Sequence, residues 1–571
     1  VEAIAPELAG RAEAICEALI EKDLVRPSGA DSYVFRHILI REVAYQTLPR
    51  ATRTALHAAA ARWIEAGAAG REETVAELIA FHYREAASLM SAASEDDPES
   101  VAIKRMAVRW LMRAADAALA SAANVEAARH LRAAIELAEP AQLVDLHERL
   151  GETFADAGGS IESYRRALEL TDERADPDRA LRLIGGILMG LSRSVGAVAD
   201  RPTDEVMNAL RARGATLLDR ATERRAKARF HTAGGFHAFW LASDRRPTAD
   251  EVAESERHAT EGLSLAREID DVTLQSAALD ALSAAAMERG DWQETRDTAR
   301  SRLHLGDRLD LAEKMDAYSV AAWASVTLGD LDDAVRISRE GLALVQPGQV
   351  PALALHLVAW RGYALTLRGD WDEALSLAER GRELWIETGR IPAGYAMRGF
   401  FGARDVALAR RQEAAVERLN EVIFGIADQF TPIPFSIAYV AALRFKPGAL
   451  IEALRLANGR NPEGVERLLH RAVDRDEALP LDLLETARAA FAPRRMTYVD
   501  AAFARAIAVT KRDPALLREA LATYQAMGAR PLIARVHCDL GRLTGDERET
   551  EAGIAILREL GDELQLERVE G

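Results

Sequence analysis

Three short turn motifs constrain the fold of this chain more than any other feature. They read RGDW at 289–292, LGDL at 328–331 and RGDW at 368–371. Their glycines recur with a period of about 40 residues, which lies in the range of helical-hairpin arrays. Glycine adopts the left-handed conformation that ends a helix, and aspartate accepts hydrogen bonds from the first N–H groups of the next one. The motifs therefore predict a series of stacked helical hairpins.

The residues after each motif support this prediction. Trp292, Leu331 and Trp371 directly follow the aspartates, where an apolar side chain packs back onto the hairpin. Ala334 and Ala374 come within the next turn, where two helices must approach closely. Weaker copies of a second helix occur at 121–138, 158–170, 410–419 and 513–528. We therefore expect the array to extend on both sides of the three motifs.

The composition favours helices through most of the chain. A length of 571 residues exceeds a single hydrophobic core, so we expect several domains or an extended array. Only 6 % of the residues are aromatic, and Ala, Leu, Arg and Glu fill most windows. Two stretches, 185–202 and 429–448, are predicted to break the regular period. The predicted fold class is all-α: a right-handed superhelical array of helical hairpins.

The first 48 residues follow a different pattern. A helix is predicted at 7–22, a strand begins at Leu24–Val25, a turn follows at 27–29, and Tyr33–Phe35 is the returning strand. Apolar residues at the spacing of a buried helix face follow at Ile38, Ile40, Val43, Ala44 and Leu48. Helix, hairpin and helix form the ending of a winged-helix domain. We therefore predict a small winged-helix remnant with a short β-hairpin before the array.

These patterns divide the chain into four parts. They are a winged-helix remnant at 1–48, a helical linker pair at 49–100, hairpin repeats at 101–428, and an irregular connection with C-terminal repeats and a cap at 429–571. Val1 opens the chain inside a predicted helix, so we expect the protein to extend upstream.

Charge and cysteine usage argue against several classes of partner. The net charge is −17 and the pI is about 5.4, which disfavours a nucleic-acid surface because phosphates require clustered Lys and Arg. Mean hydropathy is −0.13, and the chain lacks an apolar run of the ~18 residues that would suggest a membrane span. Cys16 and Cys538 form neither a disulfide framework nor a zinc site. We therefore predict a cytoplasmic protein that binds neither nucleic acid nor membrane.

Known catalytic and cofactor motifs do not occur in the sequence. It contains no GxxxxGK[ST] phosphate loop and no HExxH, GxSxG or CxxC motif. Carboxylates and arginines alternate at helical spacing, which predicts ordinary solvated pairs. His57 and His82 are too far apart in sequence to suggest a ligand set, so we assign them to packing. We predict that this chain is not an enzyme and holds no cofactor or metal of its own.

His37, with Arg36 beside it, is the first candidate binding residue. It lies at the junction between the returning strand and the following helix. A side chain at this junction could reach a phosphate held by a neighbouring domain and report its nucleotide state. The alternative is a hydrogen-bonded histidine that ties the strand to the helix. The sequence leaves both interpretations open.

An aromatic cluster at 230–240 is the second candidate. Aromatic residues are scarce elsewhere, yet this segment reads FHTAGGFHAFW. The residues that would line a ligand or peptide groove are His231, Phe236, His237, Phe239 and Trp240. The same cluster also fits a packed seam between hairpins.

Three segments resemble the C-terminal part of STAND-type signalling ATPases. They are YVFRHILIREVAYQTL at 33–48, LHAAAARWIEAG at 56–67 and ELIAFHYREA at 77–86. In these bacterial proteins an AAA-like ATPase is followed by a winged helix and tetratricopeptide-like repeats. Many members carry a class III adenylate or guanylate cyclase domain, and others carry a LuxR-type DNA-binding domain. The resemblance implies that the hairpin array is tetratricopeptide-like.

The resemblance also implies a nucleotide switch outside this chain. An ATPase domain in the same polypeptide, upstream of Val1, would bind ATP or ADP with Mg²⁺. The FRHILIREVA run resembles the Met-His-Asp motif of related switches, which places His37 on the histidine that contacts bound ADP. The acidic position of that motif is occupied by Ile38. No position matches the Walker residues or the cyclase metal ligands.

Two functional hypotheses follow. In the first, the chain is a non-catalytic sensor and protein-interaction arm that couples a protein or small-molecule effector to the upstream switch and a cyclase output. In the second, it is the sensor portion of a LuxR/MalT-type ATP-dependent transcriptional regulator. The sequence before Val1 would separate the two hypotheses.

Overall fold

The computed structural model describes nearly the whole chain in two compact units. The described residues are 1–29, 32–90, 97–153, 157–199, 201–243, 245–430, 434–444, 446, 448–457, 459 and 461–570. The first unit is Val1–Ala155 and the second is Asp156–Gly571. None of the helices in these ranges is both long and apolar enough to cross a membrane.

The first unit contains the predicted helix, hairpin and helix, followed by longer helices. Its elements are α1 (Ala12–Glu21), β1 (Val25–Pro27), β2 (Tyr33–Phe35), α2 (Ile38–Thr47), α3 (Arg50–Gly67), α4 (Glu72–Leu89), α5 (Pro98–Ala120), α6 (Asn124–Leu137) and α7 (Pro140–Glu152). The two strands are antiparallel, with Val25 opposite Phe35. The hydrophobic core of this unit lies between α3, α4, α5 and α6, where alanines allow the helices to pack closely.

The apolar face of α2 is not part of that core. Ile38 and Val43 are 55 % and 63 % exposed, and Phe35 on β2 is also exposed. The expectation that these residues form a buried helix face is therefore wrong for the described chain. The spacing predicts an amphipathic helix correctly, but burial requires a second apolar surface, and α2 contacts little beyond β2 and the Tyr45–His57 pair.

The second unit consists of helices from its beginning to its end. They are α8 (Ala157–Leu170), α9 (Pro177–Arg193), α10 (Asp204–Leu218), α11 (Arg224–Gly235), α12 (His237–Ala242), α13 (Ala249–Glu268), α14 (Val272–Arg289), α15 (Trp292–Leu303), α16 (Leu311–Leu328), α17 (Leu331–Leu342), α18 (Pro351–Arg368), α19 (Trp371–Glu387), α20 (Met397–Ala409), α21 (Glu413–Ala427), α22 (Pro434–Leu443), α23 (Ala449–Ala457), α24 (Pro462–Asp474), α25 (Leu481–Phe491), α26 (Thr497–Lys511), α27 (Pro514–Met527), α28 (Arg530–Thr544), α29 (Glu547–Leu560) and α30 (Glu563–Glu570).

The three turn motifs join α14 to α15, α16 to α17 and α18 to α19. Gly290, Gly329 and Gly369 have φ angles of +73°, +85° and +95°, so each ends its helix in the left-handed conformation. Asp291 accepts a hydrogen bond from a backbone N–H of the next helix at 3.0 Å, as predicted. Asp370 caps no backbone group with its side chain and instead pairs with Arg368.

The residues after the motifs also pack as predicted. Trp292, Leu331 and Trp371 are buried, and so are Ala334 and Ala374. The predicted fold class is therefore confirmed: an all-α array of tetratricopeptide-like hairpins, preceded by a small unit with a short β-hairpin.

The first predicted irregular stretch, 185–202, is only partly irregular: the described residues from 194 to 202 lie outside any α-helix. Helix α9 continues through Gly185 and Gly186 to Arg193, although this stretch was expected to be irregular. The glycine pair lets α9 lie close to its neighbours, because an added Cβ at Gly185 would lie 3.2 Å from the backbone of Arg229. In the second expected break, 429–448, helix α22 forms, while 431–433, 445 and 447 lie outside the described residues.

The C-terminal helices fold back onto the turns of the middle hairpins. A Cβ added at Gly290 would lie 2.6 Å from the carbonyl oxygen of Pro493. One at Gly329 would lie 2.8 Å from Met527, and one at Gly369 would lie 2.9 Å from Leu560. The three turns are therefore docking points as well as helix ends. This return of the chain places α24, α28 and α30 next to the end of the middle array.

Candidate functional site

His37 and Arg36 lie on the surface of the first unit. His37 is the N-terminal cap of α2, where its Nδ1 accepts a hydrogen bond from the backbone N–H of Leu39 at 3.2 Å. Arg36 forms an ion pair with Asp23, with 2.6 Å between Nη2 and Oδ1. The cap explains how the histidine ties the strand to the helix, and nucleotide sensing by His37 stays a prediction.

Two histidines meet between α3 and α4. The Nδ1 atoms of His57 and His82 are 3.0 Å apart, and His57 also contacts the Tyr45 hydroxyl at 2.9 Å. Burial lowers the pKa of both histidines. Their partial burial against one another agrees with a packing role.

One group in the first unit brings together side chains of the kind that bind cations. Glu77, Glu126 and His130 lie close enough to share an ion. Arg129, however, donates hydrogen bonds to both carboxylates and so supplies the positive charge that they need. We therefore assign this group to ion pairing.

The aromatic cluster of the second unit is mostly interior. Phe236, His237 and Trp240 are buried, and the Trp240 indole donates a hydrogen bond to Asp204 at 3.2 Å. His231 is half-buried, with its Nδ1 3.1 Å from that of His258. These four residues pack between helices α11 to α13 and their neighbours.

Phe239 lies at one end of a row of aromatic rings in contact. Its ring is 6.4 Å from that of Trp323, and Trp323 stacks on Trp360 at 5.3 Å with nearly parallel planes. Arg398 covers Trp360, with 3.8 Å between its Cζ atom and the ring centroid. Trp323 and Trp360 come from successive hairpins, and Phe239 on α12 extends the seam of rings that they form. A groove at this seam stays a prediction.

A buried ion cluster holds α9, α14, α15 and α16 together. Arg193 contacts Asp280, Glu313 and Asp316 at 2.6 to 2.8 Å, and the fully buried Arg302 contacts the same three carboxylates at 2.7 to 2.9 Å. Burial opposes all three negative charges. The arginines outweigh it at Glu313 and Asp316, whose pKa values fall below their ordinary range, whereas burial raises the pKa of Asp280.

One cavity among the described residues of the second unit was not predicted from the sequence. It has a volume of about 670 Å³, within the ~300–1,000 Å³ typical of small-molecule sites. Its wall combines the end of α18 and the beginning of α19 with α20, α21, α22, α24, α28 and α30. We call it the junction pocket, because middle and C-terminal helices meet there. Its charged lining residues are Arg411, Arg467, Arg471, Arg475, Arg535, Arg568, Asp405, Glu413, Glu417, Glu466, Asp474 and Asp562.

A fully buried arginine organises the wall of the junction pocket. Arg505 on α26 donates to Asp474 at 2.7 Å and to Asp539 at 2.8 Å. It also contacts Nδ1 of His470 at 3.0 Å, while Nε2 of His470 is 3.1 Å from Glu466. Because an arginine donates only, Nδ1 must accept and Nε2 must carry the proton. Burial lowers the pKa of His470, which keeps this neutral form.

The same network ties the pocket to the middle hairpins. The Tyr363 hydroxyl on α18 donates to Glu466 at 3.2 Å, and Arg467 donates to Asp405 on α20 at 2.5 Å. A helix of the C-terminal part, α24, is thus hydrogen-bonded to two helices of the middle array.

These contacts are exceptions to the prediction that charged pairs are solvated, which holds for pairs such as Arg166 with Glu169. Glu466, Arg467, His470, Arg471 and Asp474 follow one face of α24 at helical spacing, a pattern typical of an exposed face. Here that face meets the pocket and the network instead. The signal in the sequence that could have indicated this site is the continuous polar face of α24, which is flanked by apolar residues of the same helix. It does not reveal what the face contacts, because the partners are far away in sequence.

Comparison with known proteins identifies no family. No protein-family model and no curated protein matches the chain. Among solved structures, it resembles the apo form of RapI at 11 % identity and a TM-score of 0.42, over 62 % of this chain and 97 % of that one. A Rap protein complexed with competence and sporulation factor gives 12 % identity and a TM-score of 0.42, over 66 % and 99 %.

A third solved structure is a STAND protein with a tetratricopeptide repeat sensor from Pyrococcus horikoshii. The identity is 12 % and the TM-score 0.35, over 72 % of this chain and 58 % of that one.

Proposed function

We propose that this chain is the non-catalytic sensor and protein-interaction arm of a STAND-type signalling ATPase. The observation that carries the proposal is the junction pocket, whose wall combines middle helices with C-terminal helices more than a hundred residues later. A protein segment or small molecule bound there is the effector. The upstream domain of the same polypeptide binds ATP or ADP with Mg²⁺ and drives a cyclase output.

The pocket gives the array a way to respond to an effector. A ligand that contacts both walls stabilises the docked arrangement of the C-terminal helices relative to any arrangement in which they separate. A ligand shifts the equilibrium between the docked and the separated arrangement only if it binds one of them more tightly. Because the pocket is complete only in the docked arrangement, a ligand that contacts both walls binds that arrangement more tightly. Docking of the C-terminal helices is therefore the quantity that effector binding changes.

The first unit is the link to the nucleotide switch. His37 is exposed at the beginning of α2, beside the exposed apolar residues of that helix. In this proposal His37 contacts ADP held by the upstream domain, and the protein acts in the cytoplasm.

The first experiment tests the link on the polypeptide that includes the upstream domain. Release of a fluorescent ADP analogue is measured for the wild type, His37→Ala and His304→Ala. We expect faster release from His37→Ala only, because His304 is an exposed histidine of the second unit. Unchanged ADP retention in His37→Ala would remove His37 from the switch.

The second experiment tests the coupling with two matched glycines. Gly290→Ala weakens the docking of the C-terminal helices, whereas Gly545→Ala imposes a similar backbone strain where nothing lies within 4 Å. We expect ADP release to change several-fold in Gly290→Ala and to stay at the wild-type rate in Gly545→Ala. Equal rates in all three proteins, or ATP hydrolysis by the isolated chain, would contradict the proposed function.

A further inference from the structure

We propose that the junction pocket binds a small amphipathic acid, a molecule with a carboxylate or phosphate group at one end and an apolar body. This inference deepens the proposed function, since it assigns a chemical class to the effector of the same pocket. It is carried by the hydrogen-bond donors of the wall.

Two arginines of the wall have donor capacity that the protein does not use. Arg467 is only 10 % exposed and binds Asp405 through Nη1, but its Nε is buried without a hydrogen-bond partner. Arg535 is 19 % exposed and its contacts are long, 3.3 Å to Asp474 and 3.4 Å to Asp562. The Arg535 atom that lies 3.3 Å from Asp474 is Nε, and this contact lacks hydrogen-bond geometry. An anion in the cavity would give these two guanidinium groups charge-assisted hydrogen bonds that the protein supplies only in part.

Three carboxylates of the wall, those of Glu466, Asp474 and Asp562, are hydrogen-bonded to other groups of the protein. Asp474 accepts its shortest hydrogen bond from Arg505, at 2.7 Å, and Glu466 binds His470 and Tyr363. Asp562 accepts from the backbone N–H of Gln565 at 3.1 Å. These acids are therefore committed to the protein, which leaves the arginines as the groups able to bind a ligand.

Arg568 completes the donor set. Its contacts to Val473, Gln565 and Asp476 are 3.1 to 3.4 Å long, and its side chain is 19 % exposed. Two acids of α21, Glu413 and Glu417, also line the pocket, but both are exposed, so water screens their charge. The balance of available groups favours an anion.

The rest of the lining determines the body of the ligand. Apolar side chains come from six of the helices around the cavity: Leu367, Val406, Leu443, Leu468, Leu532 and Leu564. Transfer of an apolar ligand body from water to a site among these side chains is favourable, whereas transfer of a fully polar ligand is not. The pocket therefore combines an anion site with an apolar chamber.

The test is isothermal titration calorimetry of the full 571-residue chain. Four probes share one apolar tail: octanoate, octyl phosphate, octanol and octylamine. We expect one molecule of octanoate or octyl phosphate to bind per chain, and the tighter of the two identifies the head group. Octanol or octylamine binding as tightly as both acids would overturn the inference.

Variants locate the site. Arg467→Gln and Arg535→Gln are expected to weaken binding of the preferred acid about tenfold or more, since each removes a charge-assisted hydrogen bond. Arg166→Gln, an exposed arginine on α8, should bind like the wild type. Wild-type affinity in both pocket variants would overturn the inference. If one variant does not fold, the other variant and the head-group comparison decide the result.

The experiments distinguish an error in the inferred ligand class from an error in the proposed sensor function. If the acids bind the chain and do not change ADP release in the longer polypeptide, the pocket has the inferred chemistry and the sensor proposal fails. If ADP release differs between the Gly290→Ala and Gly545→Ala proteins and no acid binds, the sensor proposal stands and the ligand class is wrong.

Discussion

The indole N–H of Trp292 donates a hydrogen bond of 2.6 Å to the carbonyl oxygen of Arg494, which lies 202 positions later in the chain. Trp292 is the last residue of the first turn motif, and Arg494 ends the short 3₁₀ helix before α26. The contact joins the middle hairpins to the C-terminal hairpins. It also gives the aromatic residue of the motif a role that reaches beyond its own hairpin.

Trp292→Phe should loosen this junction without disturbing the hairpin. The smaller phenyl ring keeps part of the apolar contacts, but the carbonyl of Arg494 loses its donor, which costs about 1–3 kcal/mol. Hydrogen exchange should become faster at the beginning of α26. The exposed Trp63→Phe is the control, and equal exchange in both variants would show that the bond contributes nothing to docking.

Gly290→Ala should cost more stability than Gly545→Ala. The two glycines have φ angles of +73° and +74°, so the backbone penalty of about 1 kcal/mol is shared. Only at Gly290 would the new Cβ meet an atom, the carbonyl oxygen of Pro493 at 2.6 Å. Urea unfolding should therefore separate the two variants, and the same midpoint for both would mean that the turn adapts freely.

Arg505→Met should be strongly destabilising. It leaves Asp474 and Asp539 buried without their main partner, and loss of one member of a buried ion network costs about 3–5 kcal/mol. Arg166→Met removes an arginine whose partners Glu162 and Glu169 are exposed, so its effect should stay within about 1 kcal/mol. Urea titration of both proteins measures the difference. A small effect of Arg505→Met would indicate that water enters the network.

His356 should make the second unit less stable in mild acid. Burial and the nearby Arg398 lower its pKa to about 4, although Asp316 raises it in part. Its Nε2 accepts a hydrogen bond from the Trp360 indole at 3.2 Å, which a protonated ring cannot do. As the pH falls from about 6.5 towards 4, the unfolded chain binds a proton that the folded chain refuses, and stability decreases.

The corresponding variant is His356→Gln. Between pH 6.5 and 5 its free energy of unfolding should fall less steeply than that of the wild type, while the wild type loses at most about 3 kcal/mol through this group over its full titration. The exposed His304→Gln should keep the wild-type slope. An unchanged slope in His356→Gln would show that the imidazole is already solvated in the folded state.

Local patterns predicted the helices well. The turn motifs, the left-handed glycines and the aspartate caps follow from the conformation of a few adjacent residues, so they are visible in the sequence. Gly185 and Gly186 are an exception, because the local pattern predicts an irregular stretch there and the structure has a helix. A glycine pair lowers helix propensity locally, but close packing of α9 against the backbone at Arg229 stabilises the helix.

Burial of polar faces was less predictable. The periodic polar face of α24 has the pattern of an exposed surface. The apolar face of α2 has the pattern of a buried one. In the structure α24 is covered, whereas Ile38 and Val43 of α2 are exposed. A helix face determines its own polarity, but it does not determine which other face lies opposite.

The sequence by itself determined the fold class, the hairpin period and the absence of known catalytic motifs, because each depends on residues close together in the chain. Only the tertiary structure decided where a ligand could bind. Tyr363 and Glu466 are 103 positions apart, and their hydrogen bond forms only when the C-terminal helices return to the middle array. The junction pocket exists because of that return, which follows from the summed packing of distant faces.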